Sequence, residues 1–307
     1  MPTKKKPTVG WIGAGRMGYE MAGRLAKGGA DVLVWNRTKA KAGPLTRYGA
    51  KVADEVSELA SRDIVFCMVS TWKDVKEVTK NLLANSKSKP KLIVECSSIS
   101  LEGSAELREF LEQKKIQYLA APVSGNAKVI KAGKLTFVCS GPQQAFDLAR
   151  PLLDLIAVNS SYVGEGELSR IVKICHNVFL GVVTQSLAEI TILAQKAGVP
   201  RHAFLDFMNQ SVMGSTFTRY KTPAFVNLDF KVTFTPQLLR KDMDLGLDAG
   251  RKFEVPMPLA SATRDLIQSM IGQGWTGQDF ATLLLQQAQA SGIKLKPENV
   301  EVGDGLS

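Results

Sequence analysis

The sequence predicts an N-terminal α/β domain with a doubly wound sheet, an all-α C-terminal domain, and one long helix joining them. Three observations carry this. Short apolar runs of strand character alternate with helical runs from about residue 8 to residue 155, the pattern of successive βαβ units. Beyond residue 198 the strand signal almost vanishes. Between the two lies Ser169 to Gly198, apolar around most of its circumference if helical, which is the mark of a buried helix.

In order, residues 1–7 form a basic tail expected to be disordered, and 8–12 read as a short buried strand. Gly13-Ala14-Gly15-Arg16-Met17-Gly18 follows, then a helical run over 19–27 and a second strand over 31–35. A lone G-x-G-x-x-G says little. Between a strand and a helix, with the next strand at βαβ spacing, it marks a dinucleotide site on a Rossmann-type fold. Its glycines let the backbone approach a pyrophosphate, which the helix N-terminus then stabilises. At the end of the second strand an acidic residue would accept hydrogen bonds from the ribose 2′-hydroxyl and repel a 2′-phosphate. This chain has Asn36-Arg37-Thr38, with Lys39 and Lys41 behind. A guanidinium and a hydroxyl suit a phosphate, so NADP is favoured over NAD.

The alternation continues with helices over 39–48, 56–59, 72–84, 101–115 and 143–155, and strands over 51–53, 64–69, 92–96, 117–121 and 135–140. Ligands bind where such strands end, which adds Val69, Ser70 and Ser98 to the expected cofactor contacts. The domain, 8–166, closes at Gly164-Glu165-Gly166. The joining helix, 167–197, has Ser169 as N-cap and Gly198-Val199-Pro200 as stop, about 28 residues or about 42 Å. Near its start Arg170, Lys173 and Asn177 form a polar stripe, with His176 beside them. A lysine on a buried helix needs a reason. The all-α domain, 198–294, reads as helices over 200–209, 217–225, 236–253, 258–272 and 279–291, the last with Thr276 as a capped start. From Leu295 a polar tail, 295–307, is expected to fray.

Composition narrows the partners. The 307 residues are 45% hydrophobic and 22% charged, ordinary for a two-domain globular chain. The net charge of +10 is spread out and accompanied by no nucleic-acid motif, so it reads first as a solvated basic surface, with an anionic cofactor or substrate as the alternative. No uninterrupted apolar run reaches the length of a membrane span, and no signal-peptide core follows the first residues, so the expected location is cytoplasmic. Cys67, Cys96, Cys139 and Cys175 stand singly in apolar segments, which predicts buried free thiols and no metal site.

With the glycine turn, Ser97-Ser98, Ala121-Pro122-Val123-Ser124-Gly125, Gly133-Lys134-Leu135-Thr136, Gly164-x-Gly166 before Lys173 and Asn177, and Lys241-Asp242 all in order, the chain resembles the β-hydroxyacid dehydrogenases. These include 3-hydroxyisobutyrate dehydrogenase, tartronate semialdehyde reductase and glyoxylate/succinic semialdehyde reductase. The resemblance spans about residues 8 to 292. It implies that Lys173 is the general acid and base and that Asn177, one turn on, accompanies it. Burial and the helix N-terminus would both lower the pKa of such a lysine. It further implies that Ser124 and Gly125 hold a substrate carboxylate and that Lys241 reaches the cofactor with Asp242 directing it; Phe234, upstream in the same motif, either walls the nicotinamide or substrate pocket or packs in the core. It also implies a homodimer or homotetramer, in keeping with an apolar helix too long for one small domain to cover.

Departures from the family pattern bear on specificity. Asn126 replaces a second glycine and would either bond the carboxylate or narrow the pocket. His176 replaces the first of two asparagines, and Ser98 stands where threonine is frequent. Two competing readings remain: imine reductases share the architecture and the Trp35-Asn36-Arg37-Thr38 signature but usually carry Asp or Tyr at the position of Lys173, and a cofactor-bound sensor would bind without turnover.

Overall fold

A computed structural model describes residues 7–84 and 87–306, so the expected basic tail lies outside the described residues except for Pro7. The chain forms two compact units, Met1–Lys173 and Ile174–Ser307.

The first unit contains β1 (Val9–Ile12), α1 (Arg16–Lys27), β2 (Val32–Trp35), β3 (Lys51–Val52), β4 (Ile64–Cys67), α2 (Trp72–Leu83), β5 (Leu92–Glu95), α3 (Leu101–Gln113) and β6 (Gln117–Ala120). Its six strands are parallel in the order β3-β2-β1-β4-β5-β6, the doubly wound order, with the direction of winding reversing between β1 and β4. Side chains alternate between two cores. Trp11 stacks on Phe66 at 5.4 Å on the face covered by Met21 and Leu25 of α1. Ile12, Val65 and Ile93 face Val75 and Val78 of α2 and Leu107 and Leu111 of α3. Burial on both faces is why these strands read as continuous apolar runs.

After β6 come β7 (Val123–Ser124), α4 (Ala127–Lys131), β8 (Thr136–Cys139), α5 (Gln143–Ile156) and β9 (Asn159–Tyr162). Rather than extending the large sheet, β7, β8 and β9 form a second one, with β7 antiparallel and β9 parallel to β8. β7, α4 and β9 escape the sequence pattern: two are too short to show a period, and Asn159-Ser160-Ser161-Tyr162 carries no apolar alternation. The expected helices over 39–48 and 56–59 are 3₁₀ turns, Lys39–Lys41, Gly43–Tyr48 and Val56–Ser61. Gly43-Pro44 interrupts the first, because proline offers no N–H to continue an i→i−4 ladder.

The second unit is helical: the greater part of α6 (Leu168–Lys196), which begins in the first unit, then α7 (Arg201–Gln210), α8 (Thr216–Asn227), α9 (Pro236–Lys252), α10 (Pro258–Gly272) and α11 (Leu283–Ala290). Ser169 is not the N-cap of α6. It lies inside the helix, buried, its hydroxyl donating to the Ala120 carbonyl at 3.2 Å and accepting from Ser140 at 2.8 Å. Gly198, at φ +92°, ends the helix as expected. The expectation of an all-round buried helix fails: Phe179 is 69% and Leu193 70% exposed, and Leu168, Val172 and Cys175 are exposed too, so one thiol is accessible. By length and composition α6 is apolar enough to cross a bilayer, yet 50% of its most apolar window lies inside the fold, as in a core helix. Asp279, not Thr276, starts the last helical segment, accepting from the Ala281 N–H at 3.0 Å.

The segment from Leu295 has no regular structure but does not fray. Leu295 and Val302 pack on the core around Leu205 and Phe225. Arg201, 2% exposed, donates to the carbonyls of Phe225 at 2.7 Å, Val226 at 2.8 Å and Lys296 at 2.6 Å. Glu298 in turn accepts from the N–H groups of Arg201 at 2.7 Å and His202 at 2.9 Å, filling the role of a cap that Pro200 cannot fill at the start of α7. Glu298→Ala therefore loses about 1–2 kcal/mol of stability, read as a lower melting temperature. An unchanged melting temperature would show that this segment adds nothing to the helical unit.

Candidate functional site

The turn after β1 is built for close approach of backbone. Gly13 sits at φ +99°, and a Cβ there would lie 2.1 Å from the Met68 carbonyl oxygen, so this turn runs directly against the segment leaving β4. A Cβ on Gly18 would lie 2.1 Å from the Gly13 carbonyl oxygen, whereas one on Gly15 meets nothing within 4 Å. The turn is closed inward and open outward. α1 starts at Arg16, within the motif rather than after it, so the positive end of the helix dipole lies at this turn. This cradle fits a pyrophosphate.

Other expected cofactor residues hold the cradle itself. Asn36 accepts the Ala14 N–H at 2.7 Å and donates to the Thr38 carbonyl at 2.9 Å, clamping the end of β2 to the glycine turn. Val69, at the end of β4, donates its N–H to the Ser97 hydroxyl at 2.9 Å, tying the β4 exit to the β5 exit, where Ser98 follows. Ser70 lies between Val69 and the capped start of α2. Arg37 is 64% exposed and donates to Asp74 Oδ1 at 2.7 Å.

A buried polar network that the sequence reading did not single out underlies these loops. Arg170 is 1% exposed and pairs with the Glu95 carboxylate, itself fully buried. The guanidinium also donates to the Ser97 carbonyl at 2.6 Å, the Tyr118 hydroxyl at 3.0 Å and the Ser104 hydroxyl at 3.2 Å, while Glu95 accepts the Ser97 N–H at 2.7 Å. Burial works against the charge on Arg170, but Tyr118 and Glu95 outweigh it and its pKa rises; burial pushes the Tyr118 phenol up to about 12. The one available signal was Glu95, a carboxylate closing the otherwise apolar run Leu92-Ile93-Val94.

The expected carboxylate-binding segment lies at the small sheet. Ser124 ends β7 opposite Thr136, and Gly125 follows at φ +135°, where a Cβ would lie 2.8 Å from Val129 Cγ1. Asn126 caps α4, its Oδ1 accepting from the N–H groups of Lys128 at 2.9 Å and Val129 at 3.2 Å. Its side-chain oxygen is thus occupied in starting a helix, which leaves the amide nitrogen as its donor toward a ligand.

On α6, Lys173 is partly exposed and Asn177, one turn on, is buried. Asn177 donates to Asp242 Oδ2 at 2.6 Å, and its Oδ1 faces His176 Nδ1 at 2.9 Å. Lys241 Nζ lies 3.3 Å from the other Asp242 oxygen. Asp242 therefore fixes Asn177 as well as Lys241. The approach of α9 to α6 depends on small residues: a Cβ on Gly246 would lie 2.1 Å from Val178 Cγ2, and one on Gly181 2.7 Å from Met243 Sδ. Phe234 meets Phe280 edge-on at 6.0 Å and donates its N–H to Asp279 at 3.2 Å, so its contacts here are with the core of the helical unit.

Residues 8–164 match the family described as the NAD binding domain of 6-phosphogluconate dehydrogenase, and residues 167–286 the family described as NAD-binding of NADP-dependent 3-hydroxyisobutyrate dehydrogenase. The chain is 29% identical over 280 residues to glyoxylate/succinic semialdehyde reductase 2 of Arabidopsis thaliana, covering 90% of this chain and 78% of that protein. It is 28% identical over 297 residues to 2-(hydroxymethyl)glutarate dehydrogenase of Eubacterium barkeri, covering 95% and 98%. Among solved structures, Mycobacterium tuberculosis 3-hydroxyisobutyrate dehydrogenase with L-serine superposes with a TM-score of 0.79 at 26% identity, covering 91% of this chain and 98% of that one.

Removing one partner of the buried pair strands the other. Arg170→Met should cost about 3–5 kcal/mol, measured by urea unfolding, and adding Glu95→Gln should recover part of that loss. Equal stabilities for wild type and Arg170→Met would contradict the pairing.

Proposed function

The chain belongs to the β-hydroxyacid dehydrogenase family of NAD(P)-dependent oxidoreductases, and from that premise we propose an NADP-preferring enzyme that interconverts a small β-hydroxyacid and its aldehyde or keto acid. The observation that carries the proposal is the placing of Lys173 and Asn177 one turn apart on α6, with Asn177 held by Asp242. When bound, the reduced nicotinamide supplies a hydride to the carbonyl carbon.

The chain supplies the rest. Lys173, as its ammonium, donates a proton to the carbonyl oxygen, and in the oxidative direction its free amine takes the proton of the alcohol. Asn177 cannot rotate freely between Asp242 and His176, so it presents one edge and orients the lysine or the substrate. The Ser124 hydroxyl, the backbone amides around Gly125 and the Asn126 amide nitrogen hold the substrate carboxylate. Gly13 to Gly18 hold the pyrophosphate, and Val69, Ser70 and Ser98 border the cofactor. Arg37 and Thr38 meet the 2′-phosphate. Both relatives compared above are named for small carboxylates, which supports a substrate of that class. The exposed apolar side chains of α6 support assembly as a homodimer or homotetramer.

A panel of glyoxylate, succinic, methylmalonate and tartronate semialdehydes and a cyclic imine, followed by NADPH oxidation, tests the reading. A carboxylate-bearing aldehyde should turn over fastest; preferential turnover of the imine would favour an imine reductase, and binding without turnover a sensor. Lys173→Ala should lower turnover by at least about 100-fold with NADPH affinity little changed, and wild-type turnover in that variant would overturn the mechanism. Arg37→Ala should weaken NADPH binding by about tenfold and leave NADH binding nearly unchanged. Equal weakening of both would remove Arg37 as the reader of the 2′-phosphate.

A further inference from the structure

We propose that Asp74 is a specificity-determining residue that competes with the nucleotide 2′-phosphate for Arg37, an inference that rests on the reading of Arg37 given above. Arg37 follows β2 and Asp74 opens α2 after β4, and these two strands flank β1, whose exit carries the glycine turn. The Arg37–Asp74 bridge, 2.7 Å long, thus spans the strand exits on either side of the cradle. The guanidinium lies where the ribose end of a dinucleotide is read, and it is already engaged by a carboxylate.

The two partners are unequally free. Asp74 is the third residue of α2 and part of its cap: Oδ2 accepts from the Thr71 N–H at 3.1 Å and the Thr71 hydroxyl at 2.6 Å, and the Asp74 N–H returns to Thr71 Oγ1 at 3.2 Å. The carboxylate is anchored, whereas Arg37 is 64% exposed on a flexible stem. The Thr71 hydroxyl and then Arg37 hold the Asp74 carboxyl below its ordinary range, so it stays ionised near neutral pH. Glu77, one turn along α2, adds a second negative charge acting on Arg37. A 2′-phosphate must share the guanidinium with this anchored carboxylate or pull it away. A ribose hydroxyl, which carries no charge and does not need the guanidinium, faces no such contest. The anchored carboxylate in the first turn of α2 thus weakens the hold of Arg37 on a 2′-phosphate and narrows the gap between NADP and NAD.

The test is equilibrium binding of NADP⁺ and NAD⁺ to the full chain by calorimetry, independent of turnover. Asp74→Asn, which keeps a side-chain oxygen for Thr71, should raise the NADP⁺-over-NAD⁺ affinity ratio by about three- to fivefold, the size of an exposed ion pair. Glu77→Gln, which leaves the cap intact, should move the ratio the same way by less. In an Arg37→Ala background, Asp74→Asn should leave the ratio unchanged. An unaltered or lower ratio in Asp74→Asn alone overturns the proposal, as does an effect that persists without Arg37. If Arg37→Ala by itself leaves the ratio untouched, the parent reading of Arg37 has failed instead.

Discussion

The ion pair between Arg170 and Glu95 is the constraint on which the first unit's loops depend. A guanidinium and a carboxylate out of water are tolerable only when every donor and acceptor is used, and here the exit of β5, the Tyr118 hydroxyl on β6 and Ser104 on α3 all contribute. The result joins three elements to the first turns of α6. Lys173 stands three residues beyond Arg170, so the position of the lysine along its helix is set by a network whose other end holds Ser97, and through Ser97 the backbone of Val69. Lys173 and the Val69 and Ser97 backbone at the strand exits thus belong to one hydrogen-bonded frame within this unit.

Much of this frame was legible because it rests on local rules. The glycine turn, the parallel strands buried on both faces and the stop at Gly198 follow from backbone freedom and apolar runs, which neighbouring residues reveal. What stayed hidden depends on residues distant in the chain. Arg170 lies in helical register with Lys173 and Asn177 and so looked like part of one polar stripe, but its partner is 75 residues earlier. Asn126 showed only as a partner of the carboxylate or an obstruction in a substrate loop, and not as a cap, because α4 has only five residues and shows no periodicity. The C-terminal segment looked frayed because its polar composition is only given meaning by Arg201, 95 residues before the Lys296 carbonyl it binds.

His176 gains a concrete place as well. Its Nδ1 sits against the Asn177 carbonyl oxygen, while Asp242 takes the amide. In this chain the asparagine is therefore held from both edges of its amide. Small residues at 181 and 246 let α9 approach α6 closely enough for Asp242 to reach it.

The central claim is that Lys173 supplies the proton during carbonyl reduction, and the pH dependence of kcat/KM in that direction tests it most directly. The rate should fall as pH rises through the ionisation of a single group that must be protonated, and Lys173→Met should lose that limb along with most of its activity. A residual activity in Lys173→Met with the wild-type pH dependence would contradict the account.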